Sequence, residues 1–218
     1  MINNNISKPL PASAVLKPMS ITLLILMFLQ GCTWLLTPNV KTALLQLEQG
    51  AYKLDPSHTS VIFKVSHLNL STYVGRFNEM DASLEFDPKN IEKTRLTALV
   101  KTASIDVNNQ SLEESLTGSS WFDAEKFPEA TLRTISVEET ETANQFIFNA
   151  ELTLLGVSKT VALTSTFNGG AYNLLTGYYT LGFTAVGEIS RSDFGMDQYI
   201  PMVGDTVAIE VYAEFLKQ

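Results

Sequence analysis

From residue 145 onward, apolar side chains recur at every second position. Phe146, Phe148, Ala150, Leu152 and Leu154 fall on one side of a run, with Gln145, Asn149, Glu151 and Thr153 on the other. Val157, Val161, Leu163 and Phe167 alternate in the same way with Ser158, Thr160, Thr164 and Thr166. Leu181, Phe183, Ala185 and Ile189 form a third set. Val207, Ile209, Val211, Ala213 and Phe215 form a fourth, with Glu210 and Glu214 on the polar side. A helix, with its repeat of about 3.6 residues, cannot gather such a pattern on one face; a strand can. Four such runs predict antiparallel strands with one face in a core and the other in water.

The punctuation agrees. Leu155-Gly156 is predicted to be a tight turn between the first two runs, and Asn168-Gly169-Gly170 to end the second. Upstream, residues 59–68, 73–86, 95–105 and 130–137 read as strands, bringing the count to about eight. The one plausible helix inside the domain covers residues 110–116, with a turn or 3₁₀ piece near residues 191–194. Eight antiparallel strands with a single apolar face build a sandwich or a closed barrel. A barrel of this size holds side chains or one small ligand. Small inward residues (Ala150, Ala185, Ala213 and Gly187) among Phe, Leu and Val suggest a lumen that is not filled end to end.

The first fifty residues are of another kind. Lys8 and Lys17 precede an apolar run at residues 21–29. That run is too short to span a bilayer, which takes about 20 residues. A basic stretch followed by a short apolar run is the order of a secretory signal. No Ala-x-Ala-like site closes it. Instead Leu29-Gln30-Gly31-Cys32 resembles a bacterial lipobox. That resemblance implies acylation of the Cys32 sulfur and cleavage before it, making residues 1–31 a lipoprotein signal peptide. Acyl chains contribute about 0.8 kcal/mol per buried CH₂ and hold a domain on a membrane. Cys32 is the only cysteine, which excludes an intrachain disulfide and a zinc site built from several cysteines. Residues 32–50 read as a tether. A short helix after Thr37-Pro38 would carry Val40, Leu44 and Leu47 on one face and stop at Gly50. That face would touch a membrane surface or pack on the domain. Residues 51–218 form the barrel domain.

The whole chain carries −8; removing Lys8 and Lys17, with no acid before Cys32, leaves the remainder at −10. Nucleic-acid binding needs a basic face and is therefore not expected. His58 and His67 lie nine residues apart on one strand, hence on opposite faces, and do not readily share a metal ion. His67 has the parity of Val61, Phe63 and Val65 and points inward. There is no Gly-x-Ser-x-Gly elbow and no Gly-rich phosphate cradle. Asp55, Asp81, Glu85, Glu138 and Glu139 read as solvated charges. Arg191 reads as closing a barrel end through backbone carbonyls or an adjacent carboxylate. No residue is assigned a catalytic or metal-binding role.

Several stretches carry a family resemblance. "YKLDPSHTSVIFKVSHL" from Tyr52, "GRF" from Gly75, "WFDAEKFPEATL" from Trp121, "AELTLLGVSKTVAL" from Ala150 and "ISRSDFGM" from Ile189 run in the order seen in the YceI-like family, which they resemble. The resemblance implies a lipocalin-like, eight-stranded antiparallel barrel with one short helix, holding a long isoprenoid chain, often a quinone tail, in its lumen. It implies a lining of Phe63, Val65, Phe77, Leu84, Phe148, Leu152, Leu163, Leu181, Phe183, Ile209 and Val211, with His67 inward and Trp121, Phe122 and Phe127 at the mouth. Where many members carry Arg-Asp-x-His-Leu, this chain reads Leu112-Glu113-Glu114-Ser115-Leu116, so contacts made there by the Arg and His do not carry over. The expected function is storage or transport of a lipid by an anchored, periplasm-facing envelope protein. Thr33, standing where Asp marks inner-membrane retention in some bacteria, points to the outer membrane. A homodimer is compatible with the sequence. Two other readings stand beside this one: an enzyme acting on a lipid with His67 or His58 as general base, and an envelope structural or stress module using its acidic outer face.

Overall fold

The computed structural model describes residues 37–218. The lipobox and Cys32 lie outside the described residues. Eleven strands form one antiparallel sheet. They are β1 (Gly50–Leu54), β2 (Ser60–His67), β3 (Ser71–Phe77), β4 (Met80–Phe86), β5 (Arg95–Lys101) and β6 (Ile105–Asp106), followed by β7 (Glu129–Glu139), β8 (Gln145–Leu154), β9 (Val157–Asn173), β10 (Tyr178–Ser190) and β11 (Val203–Lys217). The one α-helix among the described residues, α1, spans Gln110–Thr117. β1 pairs with β4 on one side and β11 on the other, which closes a ring of eight strands, β1-β4-β5-β7-β8-β9-β10-β11. Of the two architectures the alternation allows, sandwich and closed barrel, the barrel implied by the family resemblance is therefore the one present.

Eleven pieces come from about eight expected runs because two upstream runs each break at a bend and because β1 precedes the first expected run. β11 pairs twice along one edge. Its end, at Phe215 to Lys217, meets β1, while Val203 to Tyr212 meet β2. A 3₁₀ turn at Pro56–His58 carries the chain from one partner to the other. The run at 73–86 breaks at Asn78-Glu79 and the run at 95–105 breaks at residues 102–104. Asn78 N donates to Ser104 O and Lys101 N to Glu79 O, so the two bends are bonded to each other. Beyond them, β2, β3 and β6 fan out from β11 as an extension, and the sheet ends at β6.

Leu155 (φ 52°) and Gly156 (φ 74°) form the expected tight turn, both in the left-handed region that a two-residue hairpin of this hand requires. Asn168-Gly169-Gly170 does not end its strand. Asn168 is an extra residue in a bulge opposite Gly182/Phe183, and β9 continues to Asn173. Here the glycines serve close approach. At Gly169 (φ 137°) a Cβ would lie 2.3 Å from Val40, and at Gly170 one would lie 3.0 Å from Leu47. The segment before β1 occupies that space. Lys41 and Gly170 exchange both backbone hydrogen bonds at 2.9 Å. The short helix expected after Thr37-Pro38 is instead a 3₁₀ turn, Leu44–Gln46. Leu47 is driven into the barrel end and buried there. So short a helix is marginal by itself and gives way to the burial of Leu47 in the barrel end.

That end is a solid floor. Tyr52, Phe86, Phe146, Phe167, Leu181 and Phe215 are buried together. Phe167 and Phe183 meet edge to face at 5.3 Å, and Phe183 and Phe215 at 5.8 Å. At the opposite end a smaller cluster joins Ile105, Val107 and Leu116 to Phe63, Phe77 and Phe122, and another joins Leu154, Phe194 and Met196 to Trp121 and Phe122. The loop after α1 thus bridges the two sides of the upper barrel.

Candidate functional site: an apolar cavity

Between the floor and the upper clusters lies a cavity of about 630 Å³. Leu84, Phe148, Phe183 and Phe215 form its base. Leu152, Leu163, Ile209, Val211 and Ala185 line the middle. Phe63, Val65, Phe77, Trp121 and Phe122 line the upper part. His67 and Tyr199, both solvent-exposed, border the cavity where it reaches the surface. Two expected lining residues are elsewhere. Leu181 has the inward parity but sits below the cavity, fully buried in the floor against Gly170. Phe127 leaves the mouth to cover the β8–β9 turn. A Cβ on Gly156 would fall 2.9 Å from its ring, and Lys126 lies 4.9 Å from the ring centre.

The inward positions of β5 and β7 also line the cavity, among them Leu96, Ala98 and Leu132. Their alternation was available in the sequence. Leu112 and Leu116 join them from one face of α1 through an i, i+4 spacing. Tyr199 had no sequence signal, because it is placed by the loop before β11.

The upper wall depends on Gly75. A Cβ there would lie 2.3 Å from the Phe63 ring and 2.7 Å from Val107. Gly75→Ala is therefore expected to cost about 2 kcal/mol through overpacking. Thermal denaturation should show the loss, and an unchanged midpoint would mean that Phe63 swings away freely.

Arg191, in the 3₁₀ turn Arg191–Phe194, is the charged group built into the mouth. It is 3% exposed. Its guanidinium donates to four backbone carbonyls: Nε to Gly204 O, Nη1 to Met196 O, and Nη2 to Gln198 O and Val203 O, all at 2.8–2.9 Å. Burial pushes its pKa down from the ordinary range, with Asp205 and Asp197 acting against that shift. The expected role in closing an end through carbonyls is what the structure shows. Its guanidinium carbon also lies 5.4 Å from the Trp121 ring centre, and Trp121 lies 6.2 Å from Tyr199. Trp121 is thereby held over the mouth.

Glu113 ties α1 to the end of β6. Its Oε1 accepts from Val107 N and Asn109 N, while Asn109 caps the helix by accepting from Leu112 N. It faces its own helix start, not a ligand headgroup.

Asp55 is not a solvated loop charge. It is buried at the bend between β1 and β2, where Oδ1 accepts from Ser57 N and Oδ2 meets His58 Nδ1 at 2.8 Å. With Glu214 these residues bring metal-type ligand atoms within 4.8 Å of one another. Both Asp55 oxygens already have partners, so the group reads as a hinge pin. The hydrogen bond from His58 is the main reason the Asp55 pKa is lowered, and the same bond is the main reason the His58 pKa is raised. The signs are opposite. His58 stabilises fully below its ordinary value of about 6.5 and less as pH rises through its higher folded value. Asp55 stabilises above the ordinary carboxylate range, and that contribution fades as pH falls through its lower folded value. Titration followed by NMR is expected to place His58 above about 6.5, and Asp55→Asn to bring it back. A value at or below 6.5 in the unaltered chain would contradict this pairing.

The model for the YceI-like domain matches residues 52–215. The chain belongs to the YceI-like family. A UPF0312 protein of Yersinia pestis is 35% identical over 147 residues, covering 66% of this chain and 75% of the relative. A UPF0312 protein of Photorhabdus laumondii is 32% identical over 145 residues, covering 66% and 74%. Among solved structures, the Campylobacter jejuni YCEI protein is 28% identical with a TM-score of 0.63, covering 71% of this chain and 91% of that one. Burkholderia cenocepacia BcnA has the same fold, with a TM-score of 0.67 at 23% identity over 74% of this chain and 98% of that one. So does a polyisoprenoid binding domain from Saccharophagus degradans, with a TM-score of 0.56 at 11% identity over 78% and 100%. The YceI-like match begins at Tyr52, so the segment that plugs the floor with Leu47 lies before it.

Proposed function

We propose that this YceI-like barrel binds one long apolar chain of the isoprenoid class, such as a quinone tail, and stores or carries it without transforming it. The observation that carries the reading is the cavity. Its volume of about 630 Å³ falls within the roughly 300–1,000 Å³ typical of sites that enclose a ligand. Its walls are almost wholly apolar, its base is closed by aromatic rings, and His67 and Tyr199 stand where it reaches solvent. Each CH₂ buried there contributes about 0.8 kcal/mol without a charge partner. The shared fold of a polyisoprenoid binding domain supports the same ligand class. A headgroup would sit near His67 and Tyr199. Binding is favoured over catalysis because Arg191 is committed to backbone carbonyls and the Tyr73 hydroxyl donates to Val107 O. Acylated Cys32 would hold the domain on the periplasmic side of the outer membrane.

Native mass spectrometry of the purified chain, followed by solvent extraction, tests this directly. A copurified long-chain lipid, or uptake of added polyprenol at one molecule per barrel, is the expected result. A barrel that stays empty in both experiments would overturn it.

A further inference from the structure

The β9–β10 hairpin projects from the floor end. β9 last pairs with β8 at Thr166↔Gln145, yet its pairing with β10 continues to Asn173↔Tyr178. At about 3.3 Å per residue, residues 167–173 carry the tip roughly 20 Å along the strand past the end of β8. The tip is apolar and bare. Leu174 is 62% and Leu175 74% exposed, flanked by Tyr172 at 56% and Tyr178 at 48%. Exposed Leu45 and Val40 lie on the segment beside it, Val40 against Gly169.

The hairpin is also uncharged. No Asp, Glu, Lys, Arg or His occurs in the 28 residues 160–187, in a chain where 17% are charged. The neighbouring floor-end loops differ: Asp87, Lys89 and Glu92 lie between β4 and β5, and Glu141 lies between β7 and β8. An uncharged projection tipped with leucine and flanked by tyrosine has the composition of a segment seated at a bilayer interface.

The start of the described chain is at the same end, since Lys41 is bonded to Gly170. Cys32 is seven residues before Asn39, a reach of at most about 25 Å. That reaches the hairpin tip. The mouth is farther: from Leu181, opposite Gly170, to Ser190 is nine residues, about 30 Å along the strand, and the β2–β3 tip at Leu70 lies beyond. The mouth also exposes Leu68, Leu70 and Met202, but Asp193 and Asp197 are exposed on the adjoining loop. Exposed acids stand at both ends, Glu92 and Glu141 being at the floor, so the reach of the Cys32 tether and not charge separates the two.

We propose that the barrel stands floor end down on a phospholipid bilayer, the one that holds its Cys32 anchor, with the β9–β10 tip in the interface and the cavity mouth turned away. This rests on the anchored reading above but not on the identity of the cavity ligand. The test uses the full lipidated chain in phosphatidylethanolamine–phosphatidylglycerol vesicles. The variants L175C and L70C each carry an environment-sensitive fluorophore on the new thiol. Lipids bearing a quencher at shallow depth are expected to quench the Leu175 site about threefold more than the Leu70 site. Stronger quenching at Leu70 would mean a mouth-down barrel and overturn the proposal. Weak quenching at both sites would overturn it too, and crosslinking of L175C between copies would then assign the patch to a second chain. Flotation and the mass of the N-terminal peptide report the anchor, and an unacylated Cys32 also overturns the proposal. Extracted cavity lipid is measured separately, so a failure of the binding reading is seen as such.

Discussion

Replacing Arg191 with methionine is expected to lower stability by about 4 kcal/mol, because methionine keeps much of the volume and none of the donors. Four carbonyls, from Met196, Gln198, Val203 and Gly204, would lose their partner at once. Some of them sit near enough to the surface to find water, which is why the loss falls short of four full penalties. For a domain of this size the melting midpoint should drop by about 10 °C. Arg191→Lys should be nearly as damaging, since one ammonium cannot satisfy a planar set of four acceptors. The connection between β10 and β11 is folded around this side chain, so its amides should lose hydrogen-exchange protection first. A midpoint shift below about 3 °C for Arg191→Met would show that water replaces the guanidinium without strain.

Filling the lumen should abolish lipid uptake while leaving the fold. Ala185→Trp with Leu152→Trp places two indoles in the middle of the cavity, from β10 and β8. If they displace five methylenes of a bound chain, about 4 kcal/mol of burial is lost, roughly a thousandfold in affinity. The cost to the fold should stay under about 2 kcal/mol, because the rings enter open space and not a filled core. Polyprenol uptake measured by native mass spectrometry, beside a thermal melt, separates the two effects. Undiminished uptake by a folded double variant would place the ligand outside this cavity.

Parity along the strands was legible because it needs only the backbone. Phe63, Val65, Phe148, Leu152 and Val211 face inward for that reason alone. Depth was not legible. Leu181 shares the parity of Phe183 but lies in the floor below the cavity, at the level where the bulge at Gly182/Phe183 and the approach of Leu47 to Gly170 occur. Phe127 was misplaced because loop residues have no period to read. Asp55 looked like an ordinary turn acid, since its burial arises from the bend that lets β11 pair with β1 and then β2. Arg191 was the reverse case. A long cation after an apolar strand end has few ways to be satisfied, and carbonyls were the simplest.

The sheet that ends at β6 leaves the upper barrel with a seam. Below the bends the eight strands are bonded all the way round, whereas above them the edge of β6 has no strand partner beyond β3. The gap is covered by α1 and by Trp121 and Phe122, which pack through side chains and not through a ladder of backbone bonds. Opening along that line breaks ring contacts such as Phe77–Phe122 at 5.6 Å and spares every strand pair. If the cavity takes a bulky chain as proposed, this seam is the line along which it would enter sideways, with the floor and ring unmoved. On that reading the barrel would store its cargo where the backbone ladder is continuous and load it where side chains alone hold the wall.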